Sequence, residues 1–192
     1  MEDLHFYKLE DLVKIPCVGF DLVPYSWFWL ERELDAKMFC ELLDKDVFRK
    51  FLPGLDLSSE EALNKNFMGL IMRTECGMGF SYMLRINAVP LGMINIETPA
   101  YNSLTINCDI WTIDFFMLPI MEHKGLMFNA LISMLEFLKE TIDVPQIYAL
   151  VDVENESCLR LVGNGLLNEI SNVGFSNTTG GRPPRVFTLK WR

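Results

Sequence analysis

The chain has 192 residues, half of them hydrophobic, and a formal net charge of -9. That length suits one domain, spanning 1–192, with room for a substantial core, and the composition excludes a disordered chain. The acidic balance argues against a nucleic-acid binder, whose affinity draws mainly on Lys and Arg at phosphates, and is compatible with a cationic partner such as an amine.

The five cysteines, at 17, 40, 76, 108 and 158, are scattered and show no paired C-x-x-C spacing. They read as reduced thiols, which excludes a disulfide scaffold and a zinc site. Two histidines, at 5 and 123, are too few for a His-based metal centre. No apolar run approaches the roughly 20 residues that a membrane span needs. The opening MEDLHFYKLEDLV is acidic, with no long apolar segment, so no signal peptide is expected and a cytoplasmic location follows by default.

Taken in order, Trp27, Phe28 and Trp29 crowd together after Pro24. They read either as core packing or as the aromatic wall of a pocket. Leu34–Leu43 is predicted helical, with Leu34, Met38 and Leu42 on one face. Phe51-Leu52-Pro53-Gly54 ends that unit. Ser58 with Glu61 three residues on is a capping-box pattern, opening a helix whose apolar side is Ala62, Leu63, Phe67, Leu70 and Ile71.

The period then changes. Phe80, Tyr82, Leu84 and Ile86 alternate with Ser81, Met83, Arg85 and Asn87, which predicts a half-buried strand. A turn at Asn87–Pro90 leads to a second strand, Leu91–Glu97, and Thr98–Asn102 makes another turn. Leu104–Leu118 completes an antiparallel meander. Its apolar residues sit at even positions (Leu104, Ile106, Cys108, Ile110) and then at odd ones (Ile113, Phe115, Met117). That switch predicts either a β-bulge or a break between two strands.

Ile113–Glu140 is the stretch around which the rest is arranged. An apolar run, Phe115 to Leu118, stops at Pro119 and a loop follows. From Met127 onward Ala130, Leu131, Met134, Leu135, Leu138 and Ile142 recur at helical spacing. The loop Glu122-His123-Lys124-Gly125-Leu126-Met127 therefore delivers unpaired N–H groups at a helix start, where a phosphate is attracted. Pro145–Val151 is predicted as a strand parallel to the one before the helix, making a βαβ unit. Asn155 is placed to cap a short helix, Glu156–Val162. Strands near Leu166–Ile170 and Val186–Trp191 close the chain, around a loop holding Arg182 and Arg185.

This order of elements resembles the Gcn5-related N-acetyltransferase family, most strongly over about residues 78–167 and closest to the ribosomal-protein-acetylating type. The family's pyrophosphate loop reads R/Q-x-x-G-x-G/A. Gly125 matches, while Glu122 stands where Arg or Gln is usual and Met127 where Gly or Ala is usual. Asn155 matches a second family mark, with Cys158 at its Ser position. The fold implied is α+β, a GNAT-like acyl-CoA N-acyltransferase sheet with a meander, a βαβ unit and a final strand pair.

The activity implied is direct transfer from acetyl-CoA to an amine of a small molecule or protein. Phe115, Phe116 and Met117 would hold the pantetheine arm. Glu122, His123, Lys124, Gly125, Leu126 and Met127 would hold the pyrophosphate, with Asn155 and Arg160 nearby. A bulge N–H would polarise the thioester carbonyl, as an oxyanion hole does. Thr112 occupies the family's usual Glu position, which leaves Asp114 as the nearest strand carboxylate and candidate base, with Glu97 behind it. Cys158 is the candidate acid. A second reading keeps the fold but not the cofactor, as a ligand- or protein-binding module. The aromatic content of 12% leaves a homodimer open.

Overall fold

The computed structural model describes residues 7–25, 32–42, 58–87, 89–170 and 184–190. Trp27–Trp29, Phe51–Gly54 and Arg182 lie outside them. Among the described residues one eight-stranded sheet is built from β1 (Ile15–Cys17), β2 (Phe20–Pro24), β3 (Gly79–Ile86), β4 (Val89–Glu97), β5 (Trp111–Met117), β6 (Gln146–Val151), β7 (Asn168–Ile170) and β8 (Arg185–Lys190). The spatial order is β1-β2-β3-β4-β5-β6-β8-β7. β2 to β5 are antiparallel neighbours, β5 and β6 are parallel, and β8 inserts between β6 and β7.

Helices cover both faces. α1 (Arg32–Leu42) and α2 (Glu60–Glu75) lie on one, and α4 (Leu126–Glu140) and α5 (Glu156–Gly163) on the other; α3 (Pro99–Thr105) joins β4 to β5. Because β-strand side chains alternate, the central strands β3, β4 and β5 feed two cores. Tyr82, Leu84, Ile94, Ile96, Ile113 and Ile147 pack with α4, while Met83, Met93 and Phe116 pack with α1 and α2. β3 is thus buried on both faces, not half-buried as its alternation suggests. Polar side chains within that alternation, Ser81 and Arg85, are enclosed as well.

α4 meets its pattern closely. Met127, Ala130, Leu131, Met134, Leu135, Phe137 and Leu138 are buried, and Asn129, Glu136 and Glu140 face solvent. The parallel βαβ unit from β5 through α4 to β6 also stands as expected. So does the cap at Asn155, whose Oδ1 accepts from the Cys158 N–H at 3.1 Å.

Four local expectations are corrected. Leu104 belongs to α3, not to a strand, and is exposed. The parity switch therefore marks a helix-to-strand boundary rather than a bulge. Pro99 at the first helical turn favours that helix, and the Asn102 amide ties its end to Ile110 O at 2.9 Å. The register shift in the meander lies instead between β3 and β4, at Leu84 and Arg85. The cap of α2 is Ser59, whose Oγ accepts from the Ala62 N–H at 3.1 Å, not Ser58. α1 buries Asp35, Ala36 and Phe39, leaving Leu34 and Leu42 exposed. Its register follows the buried ion pair of Asp35 with Arg85 on β3, since an enclosed guanidinium demands a carboxylate.

Gly92 has a steric reason. A Cβ there would sit 2.4 Å from the Phe116 carbonyl oxygen, so only glycine lets β4 lie this close to β5.

Candidate active site

The sheet opens between β5 and β6. These strands pair only at Trp111 with Ile147 and Thr112 with Tyr148. Beyond that point β5 stays with β4 as far as Met117, and β6 stays with β8 as far as Val151. Each strand keeps its antiparallel partner, so the parallel seam between them parts. The β6-side edge of β5 from Ile113 to Met117, which includes Phe115, Phe116 and Met117, has no strand beside it among the described residues. An open strand edge offers N–H and C=O groups to a ligand that can run along it.

From the open end of β5 the chain passes a short 3-10 turn, Pro119–Met121, and enters α4 at Gly125. His123 and Gly125 both take left-handed backbone conformations, with φ of 59° and 72°. Among the described residues no side chain caps α4, so the first-turn N–H groups, which have no intrahelical acceptors, are not met by a cap. Around this start, Glu122 and His123 approach to 3.9 Å and Lys124 Nζ lies 3.7 Å from Met121 Sδ. A Cβ on Gly125 would meet open space. Met127, the departure that would crowd a close backbone approach, points into the core and is buried.

The residues present therefore fit a phosphate-bearing ligand. There is an uncapped helix start, a left-handed glycine with space before it, one exposed lysine, and an open strand edge leading away. Glu122 remains the unfavourable charge at this helix start.

Thr112, Asp114 and Phe116 share the β5 face turned to α1 and α2, opposite Ile113. There Asn95 on β4 stands across from Asp114, and its Nδ2 donates to Asp114 Oδ1 at 2.6 Å. Glu97, next along that face, accepts from Arg73 Nη1 of α2 at 2.8 Å and from Thr112 Oγ1 at 3.1 Å. Thr112 Oγ1 in turn accepts from Asn102 Nδ2 at 3.1 Å. The Arg73 guanidinium lies 5.0 Å from the Tyr101 ring centre. Tyr148, the parallel partner of Thr112, faces the same side.

Asp114 is half-buried, and loss of water raises its carboxyl to about 7. The Glu97 charge pushes the same way, while the Asn95 amide and Arg73 pull against it. This is the range in which a general base works at neutral pH.

The remaining candidates stand apart from this row. Cys158 packs against the α4-side core, and burial pushes its thiol up to about 12. Asn155 spends its side-chain oxygen on the α5 cap. Arg160 is exposed, 3.9 Å from Glu156 one turn away. Asn95 and Arg73 were not legible as site residues. The signal available was the polar pair Asn95 and Glu97, two apart in the otherwise apolar MINIE of β4.

A splayed parallel seam with a glycine-opened helix at its mouth can receive a phosphate-bearing ligand laid along the open strand edge. The acetyltransferase (GNAT) domain model matches residues 29–164, and the chain belongs to that family. It is an acetyl-CoA-dependent N-acetyltransferase, with acetyl-CoA as co-substrate.

Solved structures agree in fold. The acetyltransferase from Salmonella typhimurium that modifies the N-terminal serine of a 50S ribosomal subunit protein has a TM-score of 0.73 and 13% identity; the match covers 93% of this chain and 99% of that one. RimJ of Mycobacterium smegmatis, in complex with a CoA disulfide, has a TM-score of 0.70 and 14% identity over 89% and 81%. The microcin self-immunity acetyltransferase MccE, in complex with acetyl-CoA and AMP, has a TM-score of 0.70 and 10% identity over 90% and 93%. No curated protein sequence matches the chain significantly. None of the helices among the described residues is long and apolar enough to cross a membrane.

Proposed function

We propose that the acceptor is the α-amine of a peptide or protein N-terminus, and that Asp114 is the general base. The observation that carries this reading is the placement of the Asp114 carboxyl on the splayed strand, held by Asn95 at 2.6 Å, where loss of water raises its proton affinity. A free α-ammonium titrates at about 7.7–8.0 and a lysine at about 10.4. A base near 7 takes a proton from the first almost without loss. From the second the transfer runs further uphill. The net charge of -9 favours a cationic acceptor, and the N-terminal serine in the name of the Salmonella protein points the same way.

The open edge at Phe115, Phe116 and Met117 would align the pantetheine arm through the main chain. The turn Glu122 to Met127 would receive the pyrophosphate on the N–H groups of α4, with Lys124 supplying positive charge. Acetyl-CoA supplies an activated acyl carbon: the C–N bond forms on it and the C–S bond breaks, the sulfur leaving with the electron pair. Asp114 takes one ammonium proton before attack, and the second amine proton is lost as the tetrahedral centre collapses and neutralises the thiolate. Cys158 has a packing role in this reading, because a thiol raised so far gives its proton to a less basic thiolate only uphill. The free thiols at all five cysteines support a reducing, cytoplasmic setting.

Two peptides of one sequence test the acceptor, one with a free N-terminus and no lysine, the other N-terminally blocked with an internal lysine. Acetylation of the first at least about tenfold faster in kcat/KM at pH 7.5 is expected. Preference for the blocked peptide would overturn the α-amine reading.

A further inference from the structure

We propose that Asn95 and Glu97 are positioning residues for Asp114, Asn95 fixing its carboxyl on the sheet face and Glu97 setting the charge it faces. The inference rests on the reading of Asp114 as base and deepens it.

The geometry is two adjoining sets of contacts that draw on four elements, α2, α3, β4 and β5. Asn95 and Asp114 are direct partners on β4 and β5, and the amide donates at 2.6 Å. Glu97 is held from two sides, by Arg73 at 2.8 Å and by Thr112 at 3.1 Å, and Asn102 holds Thr112. A carboxylate with both oxygens engaged cannot swing away, so its charge stays fixed one strand row from Asp114. The row of Asp114 itself continues through Asn95 to Ser81 on β3. Beyond Thr112 the next group on this face is the Tyr148 phenol of β6. On the α2 side the facing charge is Arg73, already spent on Glu97. The Asp35–Arg85 pair closes the far end of the same face, between α1 and β3.

Asn95 suits both forms of the base. Its Nδ2 donates to Asp114, while its Oδ1 is buried with no hydrogen-bond partner among the described residues. An amide carries a donor and an acceptor of nearly the same shape. The carboxylate form is met by the N–H. When the ammonium N–H bond breaks and the proton reaches an Asp114 oxygen, the new O–H can be met by Oδ1 after the amide turns over. A carboxylate or an ammonium at position 95 could serve only one of these states. Asp114 keeps some solvent-exposed surface, through which the proton returns to water.

The two neighbours act with opposite sign. Removing the Glu97 charge relieves repulsion and frees Arg73 to attract, and both favour the ionised carboxylate. Removing the Asn95 donor takes away the bond that favours that form. The test follows Asp114 by carboxyl-carbon NMR titration in the full-length protein, alongside the pH profile of kcat/KM with acetyl-CoA and the free α-amine peptide. Glu97→Gln should move both the titration and the acid limb down by about one pH unit, and Asn95→Ala should move both up. Asn95→Ala should also lower kcat about tenfold or more, with KM for acetyl-CoA within about twofold. Asp114→Asn assigns the resonance and tests the base. If Asp114→Asn is inactive but neither variant shifts the titration, the positioning inference is overturned alone. If Asp114→Asn is fully active, the base assignment falls, and the inference with it.

Discussion

The two faces of the sheet at β5 differ more than any other pair of regions in the molecule. The α4 face presents Ile94, Ile96, Ile113 and Ile147 to a helix whose buried residues are all Met, Ala, Leu and Phe. The α1 and α2 face carries Met83, Met93 and Phe116 along one row, then Asn95, Asp114, Glu97 and Thr112 along the next rows, with Asp35 and Arg85 at its edge. One face stabilises the sheet and fixes where the seam between β5 and β6 parts. The other takes polar groups out of water and holds them at set distances. Loss of hydration makes such groups costly and also gives them useful proton affinities. The two demands are separated by alternation along a single strand.

Substitutions on either side should separate in the same manner. The largest effect on the fold is expected at Leu138, fully buried between α4 and the sheet. Leu138→Ala should cost about 2–5 kcal/mol in urea unfolding while leaving the acid limb of the pH profile in place. A shifted limb would break the division between faces.

At the mouth of the seam, Gly125→Trp should weaken acetyl-CoA binding by about a hundredfold or more in calorimetric titration, close to 2.8 kcal/mol. The side chain would start in open space, so the fold should survive the cost of a left-handed tryptophan, about 1–3 kcal/mol. Unchanged binding would move the pyrophosphate away from α4.

The smallest effect sharpens the comparison most. The Asp114 pKa is raised on folding, so between its unfolded value of 3.8 and about 7 the native state holds the extra proton. Stability contributed by Asp114 is thus present at low pH and lost as pH rises through about 7. Asp114→Asn, which keeps an acceptor for Asn95, should raise Tm at pH 8 by roughly 2–6 °C. The gain should vanish near pH 4. An equal gain at both pH values would show that the carboxyl is not strained by its surroundings.

Much of this arrangement was legible in the chain. The α4 stripe is long and strongly periodic, and burial of an amphipathic stripe needs no knowledge of its partner beyond its being apolar. The βαβ unit and the Asn155 cap are equally local. The parity switch near Trp111 misled because two elements of different period, a short helix and a strand, abut within a few residues. α1 misled because its buried face is fixed by Asp35 meeting Arg85, fifty positions away. Asp114 could be singled out as the nearest carboxylate on the strand. What surrounds it could not, since Arg73, Asn95 and Glu97 reach it only through the pairing of β4 with β5 and the packing of α2.

The sequence by itself determined α2, the strands of the meander, the βαβ unit and the glycine that opens α4, but not β1, β2 or α3, because helix period, strand alternation and left-handed glycine are readable only in stretches of one clear period. Tertiary structure alone decided that β5 parts from β6 after Thr112, that α1 buries Asp35, and which groups surround Asp114. Those outcomes depend on register between strands distant in sequence, and on the water that their packing excludes.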